Sequence, residues 1–208
     1  MGEELLVDMK IAEFVDAIAS KTPSPGGGSV AALSGALSAG LVSMVCQLTI
    51  DKKGYEDVNE EMKKILKEAR ELQKELLNLV DEDAKVYYKV VDAFKLPKNT
   101  EEERNIRSKE IQEALKKAAA IPLNCAKNCQ KVMELAKFLT KRGNVNAISD
   151  SGVAAAMANS GIFGAALNVK INLISINDEN FKKEKEEELN KILTSSKDTI
   201  NEIFKTSL

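Results

Sequence analysis

Apolar residues recur at helical spacing along almost the whole chain. In residues 9–20 they fall at Ile11, Phe14, Val15 and Ile18, a stripe of period 3.6. Residues 29–50 carry no charge and are built largely of Ala, Gly and Ser, which predicts a helix poor in large side chains. Residues 56–94 repeat the helical period through Ile65, Ala69, Leu72, Leu76, Leu79 and Val80, and stop at Leu96-Pro97. Residues 101–141 predict another long helix, kinked at Pro122, whose ring clashes with the preceding turn. Gly143 closes it after Lys141 and Arg142, cations that the helix dipole favours there. Ser149-Asp150-Ser151 offers caps for a helix over residues 152–168. Residues 168–176 are rich in β-branched side chains and fit a helix or a strand. Asn177-Asp178 opens a charged terminal helix reaching towards Ser207. Repeats, low-complexity linkers and other strand-like runs are absent. The expected fold is all-α: an up-and-down antiparallel helical bundle with long helices, a single domain over 1–208.

Two of these helices carry rows of small residues. Ala32, Ala36 and Gly40 recur every four residues, beside Ala31, Gly35, Ala39 and Ser43; Gly152, Ala156, Ser160 and Gly164 do the same later. Such rows let helix axes approach closely. A helix with so few large side chains gains little from burial unless other helices surround it. It is expected between neighbours, with a dimer axis as one place for it.

Composition narrows the chemistry. The 208 residues can bury a core, and a net charge of -2 gives no basic field for nucleic acid or anionic membrane. Aromatics are only 4% and Trp is absent, which disfavours base stacking. The chain has no His, so Ser–His and Cys–His nucleophile pairs and His-based metal centres are excluded. Cys46 reads as a small buried hydrophobe, and Cys125 and Cys129 share a helix face. Three sparse cysteines fit a reducing cytoplasm, and no metal is expected. The acidic Met1-Gly2-Glu3-Glu4 start lacks the apolar core of a secretory leader. Residues 29–50 could span a bilayer by length, but their Ala/Gly/Ser content makes close packing in a bundle the simpler account.

Candidate chemistry sits in four polar clusters. The first is Pro23-Ser24-Pro25-Gly26-Gly27-Gly28-Ser29, ahead of the uncharged helix. Glycines permit positive φ and expose backbone N–H groups, Ser29 is suited to cap, and free N–H groups at a helix start cradle anions. A flexible hinge fits the same residues, and neither a P-loop nor a dinucleotide fingerprint is present. The second is Thr49-Ile50-Asp51-Lys52-Lys53-Gly54-Tyr55, which also reads as a solvated loop. The third is Asp81-Glu82-Asp83-Ala84, with Tyr87 one turn after Asp83; alone it reads as an ordinary charged face. The fourth is Gly143-Asn144-Val145-Asn146-Ala147-Ile148-Ser149-Asp150, which also serves as a capping turn. Asn168 and Asn172 would be costly to bury unpaired, so they bond backbone or read a ligand.

These stretches resemble the cyclodeaminase/cyclohydrolase family of folate one-carbon enzymes. The likeness runs from Phe14-Val15-Asp16-Ala17 through Pro23-Ser24-Pro25-Gly26-Gly27-Gly28-Ser29-Val30-Ala31-Ala32-Leu33, then Thr49-Ile50, Lys52-Lys53 and Tyr55. It continues in Asp83-Ala84, Leu96-Pro97-Lys98 and Ala119-Ala120-Ile121-Pro122-Leu123. It is most specific in Gly143-Asn144, Asn146, Ser149-Asp150-Ser151-Gly152-Val153, Gly164-Ala165-Ala166-Leu167-Asn168 and Ile171-Asn172-Leu173. Two positions depart from the family pattern: Asp51 stands where Gly is usual, and Gly54 where Lys is usual.

The resemblance implies a helical homodimer in the cytoplasm, acting on a tetrahydrofolate derivative as substrate with no permanently bound cofactor. Nucleic acid and membrane are not expected partners. Two reactions are open at the N5–C–N10 bridge. Cyclohydrolysis of 5,10-methenyltetrahydrofolate to 10-formyltetrahydrofolate is favoured for a free-standing chain. The alternative is cyclodeamination of 5-formiminotetrahydrofolate to the methenyl compound and ammonia. The implied proton-transfer carboxylate is Asp150 or Asp83, with Asp150 ahead for its polar setting, and Lys52 is the cationic partner. Pro25, Gly26, Gly27, Gly28 and Ser29, with Tyr55, Asn144, Asn146, Ser149, Asn168 and Asn172, are the expected substrate-binding residues. A non-catalytic helical dimerisation module, with the glycines as its hinge, is the reading from another class.

Overall fold

The computed structural model describes residues 5–206. Among them six α-helices carry the fold: α1 Ile11–Ala19, α2 Gly27–Thr49, α3 Asn59–Lys95, α4 Glu101–Arg142, α5 Ile148–Ile174 and α6 Glu179–Thr206. Short 3₁₀ turns occupy Leu6–Asp8, Glu56–Val58 and Val145–Ala147, and no strand occurs among the described residues. The ambiguous stretch 168–176 is therefore helical through Ile174. The N-terminal Met1–Glu4 and Ser207 lie outside the described residues. Two helices, Gly27–Thr49 and the stretch 145–174, are long and apolar enough to cross a membrane by length and composition.

Helix ends follow local chemistry, with some differences from the sequence reading. Thr100 caps α4: its hydroxyl accepts from the Glu103 N–H while the Glu103 carboxylate accepts from the Thr100 N–H. α2 begins two residues earlier than expected, with Gly26 at the cap position, so Ser29 is not its cap. Ser29 is fully buried instead, inside the first turn. Likewise α5 begins at Ile148, so Ser149, Asp150 and Ser151 lie in its first turn rather than ahead of it. The cap residue of the preceding 3₁₀ turn is Asn144, whose side chain accepts from the Asn146 N–H.

α2 sits among α3, α4 and α5. Its small rows make this possible. A Cβ on Gly35 would come within 2.5 Å of the Cys129 sulfur on α4. A Cβ on Gly161 would meet the same sulfur at 2.7 Å and the Ala31 carbonyl oxygen at 3.0 Å. Ser34 and Ser38 of α2 donate to the Met157 and Ala154 carbonyls of α5, at 2.8 and 2.6 Å. Higher numbers on α2 thus meet lower numbers on α5, and these two helices run in opposite senses. The cysteines behave as core residues: all three are free and buried, and burial pushes the Cys46 thiol up to about 12.

α4 runs as one helix from Glu101 to Arg142, with Pro122 inside it. A proline has no N–H, so the Ala118 carbonyl one turn earlier lacks its helical donor. Asn172 of α5 supplies one: its Nδ2 donates to the Ala118 oxygen at 2.8 Å.

The Gly161 seam yields a stability prediction. Gly161→Ala forces a methyl against backbone and sulfur that cannot swing away. It should destabilise the chain by about 1–3 kcal/mol, read from the urea midpoint at unchanged m.

Candidate functional site

The polar residues singled out by the sequence fall into two groups at opposite ends of α2. At its N-terminal end the Gly-rich turn, α3, α4 and α5 enclose a cavity of about 270 Å³. Pro23, Ser24, Gly26, Gly27 and Gly28 form one wall; Asp83, Val86, Tyr87 and Val90 of α3 form another. Ala118, Asn168 and Asn172 complete it. Pro25, joined to Ser24 by a cis peptide bond, is buried behind this turn.

The glycines act here by absence of a side chain, not by unusual backbone. Positive φ among the glycines of the described residues occurs only at Gly54. A Cβ on Gly28 would collide with the Asp83 carboxylate. A Cβ on Gly27 would stand 3.3 Å from the Asn168 amide nitrogen and intrude on the cavity. The turn therefore lets α3 press a carboxylate against the start of α2.

Asp83 is the unusual group in this cavity. Ser29 holds it: the hydroxyl lies 3.1 Å from Asp83 Oδ2 and 2.9 Å from the Val80 carbonyl. Burial lifts the Asp83 carboxyl above the ordinary aspartate range, opposed by the Ser29 hydroxyl and N–H. Among the described residues no lysine or arginine pairs with it. A half-buried carboxylate with a raised pKa in a polar cleft suits proton transfer near neutral pH.

Asn168 lines the cavity and donates to the Gly164 carbonyl at 2.9 Å. Asn172 spends one amide hydrogen on Ala118. Sequence reasoning named both asparagines, Asp83 and Tyr87, and missed Val86, Val90 and Ala118. Pro122 was the available signal for Ala118, since it frees the carbonyl four residues before it.

The second group gathers at the C-terminal end of α2. Lys52 Nζ donates to Asn144 Oδ1 at 2.7 Å and lies 5.7 Å from the Tyr55 ring centre. Asn144 is buried: its N–H donates to the Thr49 hydroxyl and its amide to the Leu48 carbonyl. The Tyr55 hydroxyl accepts from the Val145 N–H. Asn146 and Ser149 are exposed beside them, and Asp150 sits in the first turn of α5. Asp51 adopts φ 55°, a left-handed conformation, where the family pattern has Gly. Its carboxylate and N–H bond reciprocally to the Asn59 amide, which steadies the loop.

The structure does not bring Lys52 and Asp83 together within one chain. Gly28 abuts Asp83, while Lys52 follows Thr49 at the far end of the same helix. Straight helix from Gly27 to Thr49 spans about 33 Å.

A family model described as formiminotransferase-cyclodeaminase matches residues 10–191. The chain belongs to this family. It is 42% identical to a methenyltetrahydrofolate cyclohydrolase of Methylorubrum extorquens, over 94% of this chain and 94% of that protein. It is 36% identical to the formimidoyltransferase-cyclodeaminase of Rattus norvegicus, over 94% of this chain but only 36% of the longer protein. The crystal structure of a formiminotetrahydrofolate cyclodeaminase from Thermotoga maritima superposes with a TM-score of 0.87, at 33% identity and 96% coverage of both chains.

The site carries two predictions. Because the Asp83 pKa is raised in the folded chain, the native state holds its proton more tightly than the unfolded state. Stability from this group is then present at low pH and lost as pH rises through the folded value. Asp83→Asn should therefore stabilise the chain at neutral pH, and the gain should vanish as pH falls below the ordinary aspartate range. Urea titrations of both proteins across pH check the sign. The second concerns the orphaned carbonyl. Asn172→Ala should cost about 1–3 kcal/mol in the native chain. The cost should shrink when Pro122→Ala restores a helical donor to Ala118, a coupling read from the double-mutant cycle.

Proposed function

We propose that this chain is a cytoplasmic one-carbon enzyme that hydrolyses 5,10-methenyltetrahydrofolate to 10-formyltetrahydrofolate, with Asp83 as its proton-transfer group. The observation that carries the residue assignment is a raised-pKa carboxylate in a small cavity that Asn168 and Asn172 also line. The likeness to a cyclohydrolase over 94% of both chains supports the reaction. The single domain is an up-and-down helical bundle and works as a homodimer through the outer faces of α2 and α5.

The substrate brings its own electrophile, an amidinium carbon between N5 and N10. Water adds to that carbon, and the ionised Asp83 accepts the proton the water loses. The neutral tetrahedral carbon then opens: the C–N5 bond breaks, its electron pair stays on N5, and N5 takes a proton. The hydroxyl on the carbon loses its proton as the formyl C=O forms on N10. One proton is released to solvent overall. Asp83 can serve both transfers because its pKa lies nearer to neutrality than an exposed aspartate's. Asn168 and Asn172 hydrogen-bond the pterin, and the side-chain-free turn at Gly26 and Gly27 lets the ring approach. Orientation and proton transfer suffice, and no metal or bound cofactor is required.

Methenyl absorbance should fall faster with the protein than without it at neutral pH. Asp83→Asn should cut that rate by roughly 10²–10⁴-fold. Unchanged turnover in Asp83→Asn with loss in Asp150→Asn would move the role to Asp150. Exhaustive chelation should leave the rate unaltered. The likeness to a solved cyclodeaminase favours a second reading. Ammonia release from 5-formiminotetrahydrofolate at a much higher kcat/KM than methenyl hydrolysis would establish it.

A further inference from the structure

Gly26 holds the cap position of α2 and has no side chain to cap with. Its carbonyl takes the first intrahelical bond, from the Val30 N–H. The N–H groups of Gly27, Gly28 and Ser29 therefore have no acceptor within the helix. Asp83 of α3 takes the place of the missing cap. The Ser29 N–H and hydroxyl both donate to its carboxylate, the hydroxyl from 3.1 Å. The group assigned to proton transfer is thus also the cap of another helix, and one residue, Ser29, makes both bonds.

The Ser29 hydroxyl has one proton and two acceptors. The Val80 carbonyl oxygen lies 2.9 Å away and Asp83 Oδ2 3.1 Å away. A hydroxyl proton turns about the Cβ–Oγ bond, so it can serve either acceptor without displacing a heavier atom. The two acceptors are not alike. The Val80 carbonyl lies inside α3 and keeps its helical donor, so it stays satisfied when the hydroxyl turns away. The Asp83 oxygen is a strong acceptor when ionised and a weaker one when protonated. Ser29 is fully buried, so solvent does not compete for its hydroxyl.

We infer that Ser29 is a positioning residue for the proton-transfer carboxylate: its one hydroxyl proton turns to Asp83 when that group is ionised and to the Val80 carbonyl when Asp83 is protonated. As the attacking water gives its proton to Asp83, the hydroxyl turns away; as Asp83 passes the proton to N5, it turns back. No bond forms or breaks at Ser29, and its own proton stays on Oγ throughout. The carboxyl is held between two opposed influences, burial raising its pKa and the Ser29 hydroxyl and N–H lowering it. Other ionisable groups do not share this task. Tyr87 is the one other titratable side chain lining the cavity, and the walls from the Gly-rich turn, α4 and α5 carry none. On α3 itself, Asp81 accepts from the Leu6 N–H, and Glu82 and Lys85 are exposed.

The inference rests on the reading of Asp83 as the proton-transfer group, but one arm of the test needs no turnover. In the native chain without substrate, the Asp83 carboxyl carbon is isotope-labelled, identified in NMR spectra by its loss in Asp83→Asn, and titrated. Ser29→Ala removes the hydroxyl and leaves no polar group unpaired, since Val80 keeps its helical donor and Asp83 keeps the Ser29 N–H. That variant should fold as the wild type does. Its Asp83 should titrate at higher pH than in the wild type, because the ionised form has lost a donor. An Asp83 signal that titrates alike in both proteins would overturn the inference while leaving the hydrolase reading intact.

The second arm reads initial rates of methenyl hydrolysis against pH. The kcat/KM should fall on the acid side as Asp83 takes up a proton, and in Ser29→Ala the fall should begin at higher pH. On that falling limb the variant should work at roughly a tenth of the wild-type rate, the worth of one hydrogen bond to a charged group. On the plateau the two proteins should nearly agree. In an Asp83→Asn background, Ser29→Ala should change the residual rate little at any pH. A loss of equal size in both backgrounds would mean that Ser29 acts without Asp83 and would overturn the inference. An Asp83 signal that moves while the acid limb stays put would reject Asp83 as the proton-transfer group, and with it the part of Ser29 in the reaction.

Discussion

The close approach of α2 to its neighbours is the constraint on which the rest depends. With Gly35 and Gly161 both pressed on the Cys129 sulfur, α2, α4 and α5 meet with almost no side-chain thickness between them. Dispersion then acts between backbones rather than between long side chains. Serine hydroxyls at Ser34 and Ser38 fasten the seam by taking α5 carbonyls as acceptors. The same thinness continues to the helix start, where Gly28 leaves room for the Asp83 carboxylate. The packing rule and the site geometry are one feature seen at two places.

A second constraint runs through Pro122. Its missing N–H frees a carbonyl in a helix interior, and such a group is costly to leave unpaired. Asn172 answers it from α5 and is thereby fixed at the cavity wall. A defect in one helix thus orients a polar side chain of another.

The all-helical character was legible from periodicity, because uncharged or amphipathic stretches of this length leave few alternatives. The polar clusters were legible too, since Gly-rich turns and paired asparagines are rare inside apolar helices. What the pattern could not convey was spatial grouping. The polar setting of Asp150 put it ahead of Asp83 in sequence, yet Asp83 is the one that lines the cavity, where burial lifts its carboxyl. Ser29 looked like a cap because caps favour serine; the helix starts two residues sooner because Gly26 takes the cap position, and Ser29 turns inward to Asp83. Residues 168–176 were ambiguous because β-branched side chains serve both helix and strand, and packing on α4 decides for helix. Asp51, an exception to the family pattern, keeps the left-handed backbone that makes glycine usual there.

α2 is also a gauge. Its 23 residues set the separation between the Gly-rich turn and the Lys52 loop. One inserted residue would advance the far end by about 1.5 Å and rotate it by about 100°. Lys52 would then leave Asn144, the exposed face of α2 would turn towards a neighbouring helix, and Ser34 and Ser38 would lose their acceptors. Loops in this chain can lengthen at little cost, but α2 cannot change its residue count without breaking three registers at once. Its length is therefore as much a part of the site as any side chain that lines it.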